Sequence, residues 1–137
     1  MMDLRWVECR GFVAGPAEQQ SAMTDYRQIT HDISAQLVPL RQTVPGVMKG
    51  FADMGKAAMA EGALSAKTKE LIALAAGVAA HCEGCIGFHT KALARLGATE
   101  AEVQEALGVA IYMGGGPSAM YAASAVEAFR QFSAASA

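Results

Sequence analysis

The sequence predicts an all-α protein. No segment alternates apolar and polar residues in steps of two over a useful length, as a half-buried strand requires. Apolar residues recur instead at three- and four-residue steps. The composition is 53% hydrophobic, only 7% aromatic and rich in alanine, which favours closely packed helices over sheets. At 137 residues the chain is long enough for one domain with a real core and too short for two comfortable ones.

Residues 1–23 lack periodicity and carry Gly11, Gly15 and Pro16. They are expected to form a loose amino-terminal arm, with Met23 an alternative start, ahead of a helical domain over residues 24–137. The helical pattern runs from Asp25 onward: Tyr26, Ile29, Ile33, Leu37 and Leu40 fall on one face, expected to be buried. Pro45 suits the first turn of a second, short helix, whose apolar positions are Val47, Met48, Phe51 and Met54. Ser65 is placed to cap a third helix running through Glu70 into the apolar stretch Leu71–Ala80. The fourth begins around Cys82 and Cys85 and ends near Gly97, a natural left-handed cap. Thr99 and Glu102 form a capping box opening the fifth. The run Gly114-Gly115-Gly116-Pro117 should break the helix there, and a sixth then continues from near Pro117 to about Phe132.

Several function classes are disfavoured at this level. A formal charge of −2 offers no broad attraction to nucleic acid or anionic membrane. Residues 88–107 superficially resemble a helix-turn-helix, but Glu100, Glu102 and Glu105 on the second helix would repel phosphates. The span from Ala106 to Val126 holds no charge and could cross a bilayer on length alone, yet the glycine–proline cluster divides it into two shorter buried helices. Those glycines do not follow a strand and lack the Lys-Ser/Thr of a phosphate loop. Three cysteines are too few for a disulfide-stapled secreted domain, and Glu8 and Arg10 interrupt any signal-peptide core. A cytoplasmic location is expected. Cys9, in the arm, has no evident partner, and His31 receives no role.

The residues that bear chemistry are Glu70, Cys82, Cys85 and His89. Cys82, Cys85 and His89 share one side of a helix, because positions i, i+3 and i+7 do. A thiolate near a helix amino terminus is favoured by the backbone N–H groups and the macrodipole. Such a thiolate reduces peroxides by attacking oxygen, and a second thiol within reach condenses the resulting sulfenic acid to a disulfide. His89 can hold or shuttle the proton, and Glu70, on the preceding helix, can complete the relay. Blander readings stand beside this. Glu70 could pair with Lys67 or Lys69, each within a turn. Cys82, Cys85, His89 and either His81 or Glu70 could bind zinc, although structural zinc sites usually draw a second ligand pair from a separate segment. The spacing alone does not decide which cysteine attacks.

The string from Glu70 through HCEGCIGFHTKALARLGAT, followed by EVQEAL and YMGGGPSAMYAA, resembles the alkylhydroperoxidase D-like (AhpD-like) branch of the carboxymuconolactone decarboxylase superfamily, over about residues 45–132. The resemblance implies an all-helical fold assembling as homotrimers or homohexamers. It also implies a thiol-dependent peroxidase or disulfide reductase that needs no cofactor and acts on a hydroperoxide or disulfide with a dithiol reductant. Carried over, Cys85 attacks peroxide, Cys82 resolves it, and Glu70 and His89 relay protons. Alkylhydroperoxidase D proper has a histidine next to its second cysteine where this chain has Gly84; here His81 precedes the first. Two further readings remain: a lactone decarboxylase or isomerase using Glu70 and His89 as acid and base, and a non-enzymatic scaffold oligomer with structural or zinc-bound thiols.

Overall fold

The computed structural model describes residues 24–134, which form α1 (Tyr26–Thr43), α2 (Pro45–Met59), α3 (Ala66–Ala79), α4 (Glu83–Arg95) and α5 (Glu100–Ala134). There is no strand among the described residues. The expected arm, with Cys9 and Met23, lies outside them. The expected fifth and sixth helices are two arms of α5, which breaks at Gly115 (φ 70°, ψ −154°). That backbone conformation is open essentially only to glycine. No helix among the described residues is long and apolar enough to cross a membrane.

The caps predicted at Ser65 and Thr99 are made, and Asp25 adds one that the sequence analysis did not name. The Asp25 carboxylate accepts from the N–H groups of Arg27 and Gln28 at 2.9 and 3.1 Å, and Ser65 Oγ accepts from the Thr68 N–H at 3.1 Å. The Thr99–Glu102 box closes in both directions, at 2.8 Å from the Thr99 N–H to the carboxylate and 3.2 Å from the Glu102 N–H to the hydroxyl. Each such cap contributes about 1 kcal/mol.

The core is a three-helix centre. Leu74 and Val78 of α3, Ile86 and Leu93 of α4, and Val103, Leu107, Ala125 and Phe129 of α5 are buried together. α1 closes one side through Tyr26, whose buried phenol is pushed above its ordinary pKa by desolvation while Ser124 hydrogen-bonds it. Close approach of α1 to α4 requires Gly87, where a Cβ would lie 2.7 Å from Thr30 Cγ2. The two ends of the domain are tied where Tyr26 N–H donates to Gln131 Oε1 at 2.9 Å and Gln131 Nε2 donates to the Thr24 carbonyl at 2.9 Å.

Two faces differ from the sequence expectation. On α1 only Tyr26 and Thr30 are buried, and Leu40 is 47% exposed. α2 buries no residue, and Val47, Phe51 and Met54 are each more than 60% exposed. The break in α5 also leaves Tyr112 and Met113 exposed, so the two arms are not buried along the whole uncharged stretch. The expected burial of these faces is not found: periodicity marks an apolar face, but among the described residues no further layer lies over it.

The α3–α4 contact is tightest at Gly77, where a Cβ would lie 2.9 Å from Cys85 Cβ. Gly77→Ala is therefore expected to destabilise the domain by about 1–3 kcal/mol from overpacking, reduced by up to about 1 kcal/mol of gained helix propensity. A lower urea midpoint with an unchanged m-value would verify this.

Candidate active site

The site is built where α3 turns into α4. α3 ends in a Schellman motif: the Cys82 N–H donates to the Gly77 carbonyl at 2.9 Å and the His81 N–H to the Val78 carbonyl at 3.0 Å. The turn residue is His81, at φ 55°, the one non-glycine residue with positive φ among those described. Glycine usually occupies such a position, and a side chain there costs about 1 kcal/mol. Cys82 then serves as the N-cap of α4, its Sγ accepting from the Cys85 N–H at 3.2 Å.

Cys82 and Cys85 are joined as a disulfide, with Cα atoms 5.2 Å apart, within the usual range for such a bond. Both cysteines are half-buried, so the pair is reachable from solvent yet packed against Gly77. The N-terminal turn of α4 places the Cys85 backbone N–H on the Cys82 sulfur. That favours a thiolate at this position once the bond is opened.

Glu70 and His89 meet across the two helices. His89 Nδ1 donates to Glu70 Oε2 at 2.7 Å, with side chains 31% and 16% exposed respectively. An ionised carboxylate can only accept, which assigns the Nδ1 proton and leaves Nε2 as the basic nitrogen of the neutral ring. His89 lies one turn beyond Cys85 on α4. The competing partners of Glu70 are engaged elsewhere. Lys67 pairs with Glu102 of α5 at 2.7 Å, and Lys69 donates to the carbonyls of Ala58 and Ala60 at the end of α2. Glu70 is thus not the surface carboxylate that the sequence also allowed.

All four residues singled out from the sequence fall at this one helix–helix junction. Sequence reasoning missed the packing around them. Tyr121 of α5 stacks on the His81 ring, centroids 4.7 Å apart and planes 12° from parallel. Neither the stack nor the left-handed turn has a sequence signal, because a histidine occupies a place where glycine would have announced it. Zinc coordination finds no matching geometry: among the described residues no three His, Cys, Asp or Glu side chains converge as a metal site would need.

Comparison with known proteins agrees with this architecture. The chain is 55% identical to a carboxymuconolactone decarboxylase family protein from Legionella pneumophila, whose apo crystal structure superposes with a TM-score of 0.77, covering 79% of this chain and 96% of that one. It is 42% identical over 106 residues to an uncharacterized protein of Cupriavidus necator, spanning 77% of this chain and 94% of the relative. It is also 36% identical over 83 residues to uncharacterized protein 4 in the cox locus of Paracoccus denitrificans, spanning 61% of this chain and 75% of the relative. The sequence profile of the carboxymuconolactone decarboxylase family matches residues 45–128. The chain belongs to the carboxymuconolactone decarboxylase family.

Proposed function

We propose that this protein is a thiol-dependent hydroperoxidase that cycles Cys82 and Cys85 between dithiol and disulfide. The observation that carries the reading is the coincidence of a C-x-x-C disulfide at a helix amino terminus with a carboxylate–imidazole pair one turn away. In the reduced protein, His89 Nε2 takes the Cys85 proton while Glu70 steadies the imidazolium. The Cys85 thiolate attacks the terminal oxygen of a hydroperoxide: an S–O bond forms, the O–O bond breaks, and the alcohol leaves with the proton returned by His89. Cys82 then attacks the sulfenic sulfur, forming the S–S bond and releasing water. A dithiol reductant is oxidised to its own disulfide and restores both thiols. A reducing, cytoplasmic setting suits such a cycle.

The expected outcome is that one equivalent of organic hydroperoxide removes two thiols per chain as an intramolecular disulfide, counted by mass and thiol titration. Cys85→Ser should abolish turnover with a dithiol. Thiols that stay reduced under excess peroxide would end this reading. The Glu70–His89 pair and the family profile also fit an acid–base decarboxylase or isomerase acting on a lactone; activity that survives replacement of both cysteines would select that alternative.

The uncovered apolar faces support assembly from several copies, as a homotrimer or homohexamer. An α2 that exposes Val47, Phe51 and Met54 is stable when those side chains are buried against a neighbour. Phe51→Asp should shift the protein to smaller species in light scattering. A wild-type chain that runs as a monomer would contradict the proposal.

A further inference from the structure

Several cations of this chain are matched by carboxylates: Lys49 by Asp53, Lys67 by Glu102 and Arg130 by Glu100. Arg27 and Lys91 are not, yet both line one cleft of about 380 Å³ among α1, α4 and α5. Arg27, Thr30, His31 and Ser34 form its α1 wall, one helix face at steps of three and four. Lys91 enters from α4 and Phe132 from α5. No carboxylate lines the cleft, and no residue of the disulfide site does.

Neither charge is neutralised where it stands. The Arg27 guanidinium donates through Nε and Nη2 to the Gln131 carbonyl, an uncharged acceptor, with the Nε contact at 3.1 Å. That fixes the side chain and leaves Nη1 without a partner among the described residues. Lys91 is exposed and makes no ion pair or hydrogen bond among them. It stands one turn beyond Gly87, the glycine that brings α1 against α4. The acids nearest along the chain are engaged. Asp25 caps α1, Asp32 accepts from Gln28 Nε2 at 2.7 Å and His31 Nδ1 at 3.2 Å, and Glu127 accepts from Gln131 Nε2 at 3.1 Å. His31 therefore brings its own carboxylate and is not counted as a charge. The Thr30 and Ser34 hydroxyls donate to α1 carbonyls at 3.0 and 2.7 Å, so they keep the wall polar and uncharged. The tether to α5 accounts for an arginine at position 27. It does not account for a second unmatched cation lining the same space in a chain of formal charge −2.

We propose that this cleft binds a small organic oxyanion, a phosphate monoester or a carboxylate, held by Arg27 and Lys91 with its body against the apolar wall that Phe132 supplies. An arginine edge matches the geometry of either oxyanion, and a lysine adds a point charge. Two like charges lining one open space repel each other, and an anion bound by both replaces that repulsion with attraction. The volume suits a small molecule. Neither sulfur nor the Glu70–His89 pair takes part, so the proposal is independent of the peroxidase reading.

The test is isothermal titration calorimetry of the full chain with phenyl phosphate, benzoate and benzyl alcohol. At least one of the two anions should bind saturably, the tighter naming the oxyanion, while the neutral alcohol should not. Lys91→Gln should weaken binding about tenfold, the worth of one charge-assisted hydrogen bond. Lys91→Arg, which retains the charge, should preserve it. Lys49→Gln removes the same formal charge from α2 and should leave the affinity unaltered. The proposal falls if neither anion gives saturable heat, or if benzyl alcohol binds as well as they do. It falls equally if Lys91→Gln binds like the wild type, or if Lys49→Gln loses as much affinity as Lys91→Gln. Thiols inert to hydroperoxide would end the peroxidase reading and leave this result untouched.

Discussion

The close approach of α3 and α4 is the constraint on which the site depends. Gly77 has no side chain, so Cys85 packs directly against the α3 backbone. The same proximity lets Glu70, two turns earlier on α3, reach His89, one turn later on α4, at 2.7 Å. A wider interhelical gap would leave a carboxylate and an imidazole half-buried and apart, each to be desolvated without its partner. The apolar core below, with Leu74, Val78, Ile86 and Leu93, supplies the burial that holds the two helices at this distance. Packing energy and site geometry are therefore one arrangement.

The surrounding elements keep that junction rigid on one side and leave surfaces open on the other. α1 and α5 brace α4 through Tyr26, Thr30, Phe129 and the Gln131 tether. Lys67 and Lys69 tie the foot of α3 to α5 and to the end of α2, which removes both as partners of Glu70. α2 and the break in α5, by contrast, present apolar side chains that nothing among the described residues covers.

Much of this was legible in the sequence because it is local. Caps at Ser65 and Thr99, the Gly97 turn and the glycine–proline break are encoded within four or five residues, and each appears where the pattern placed it. The register of Cys85 and His89 follows from helical periodicity, whereas Cys82, expected on the same helical face, is the extended N-cap just outside α4. What was not legible is tertiary. The choice of Glu70 between two lysines and His89 depends on where α5 and α2 lie. The exposure of Val47, Phe51 and Met54 depends on what packs over α2, which periodicity does not report. His81 was the hardest to read. Its turn would have been evident with glycine, and its stack on Tyr121 joins residues forty positions apart in the chain.

The central claim is that the Glu70–His89 pair and the disulfide are one chemical device. It is tested most directly by the rate at which an organic hydroperoxide oxidises the pre-reduced thiols of wild type and of Glu70→Gln, a near-isosteric change that removes the carboxylate charge. With the helical circular dichroism unchanged, the account predicts that Glu70→Gln slows oxidation by roughly 10²-fold, as loss of positioned acid–base assistance does. Oxidation of Glu70→Gln at the wild-type rate would contradict it.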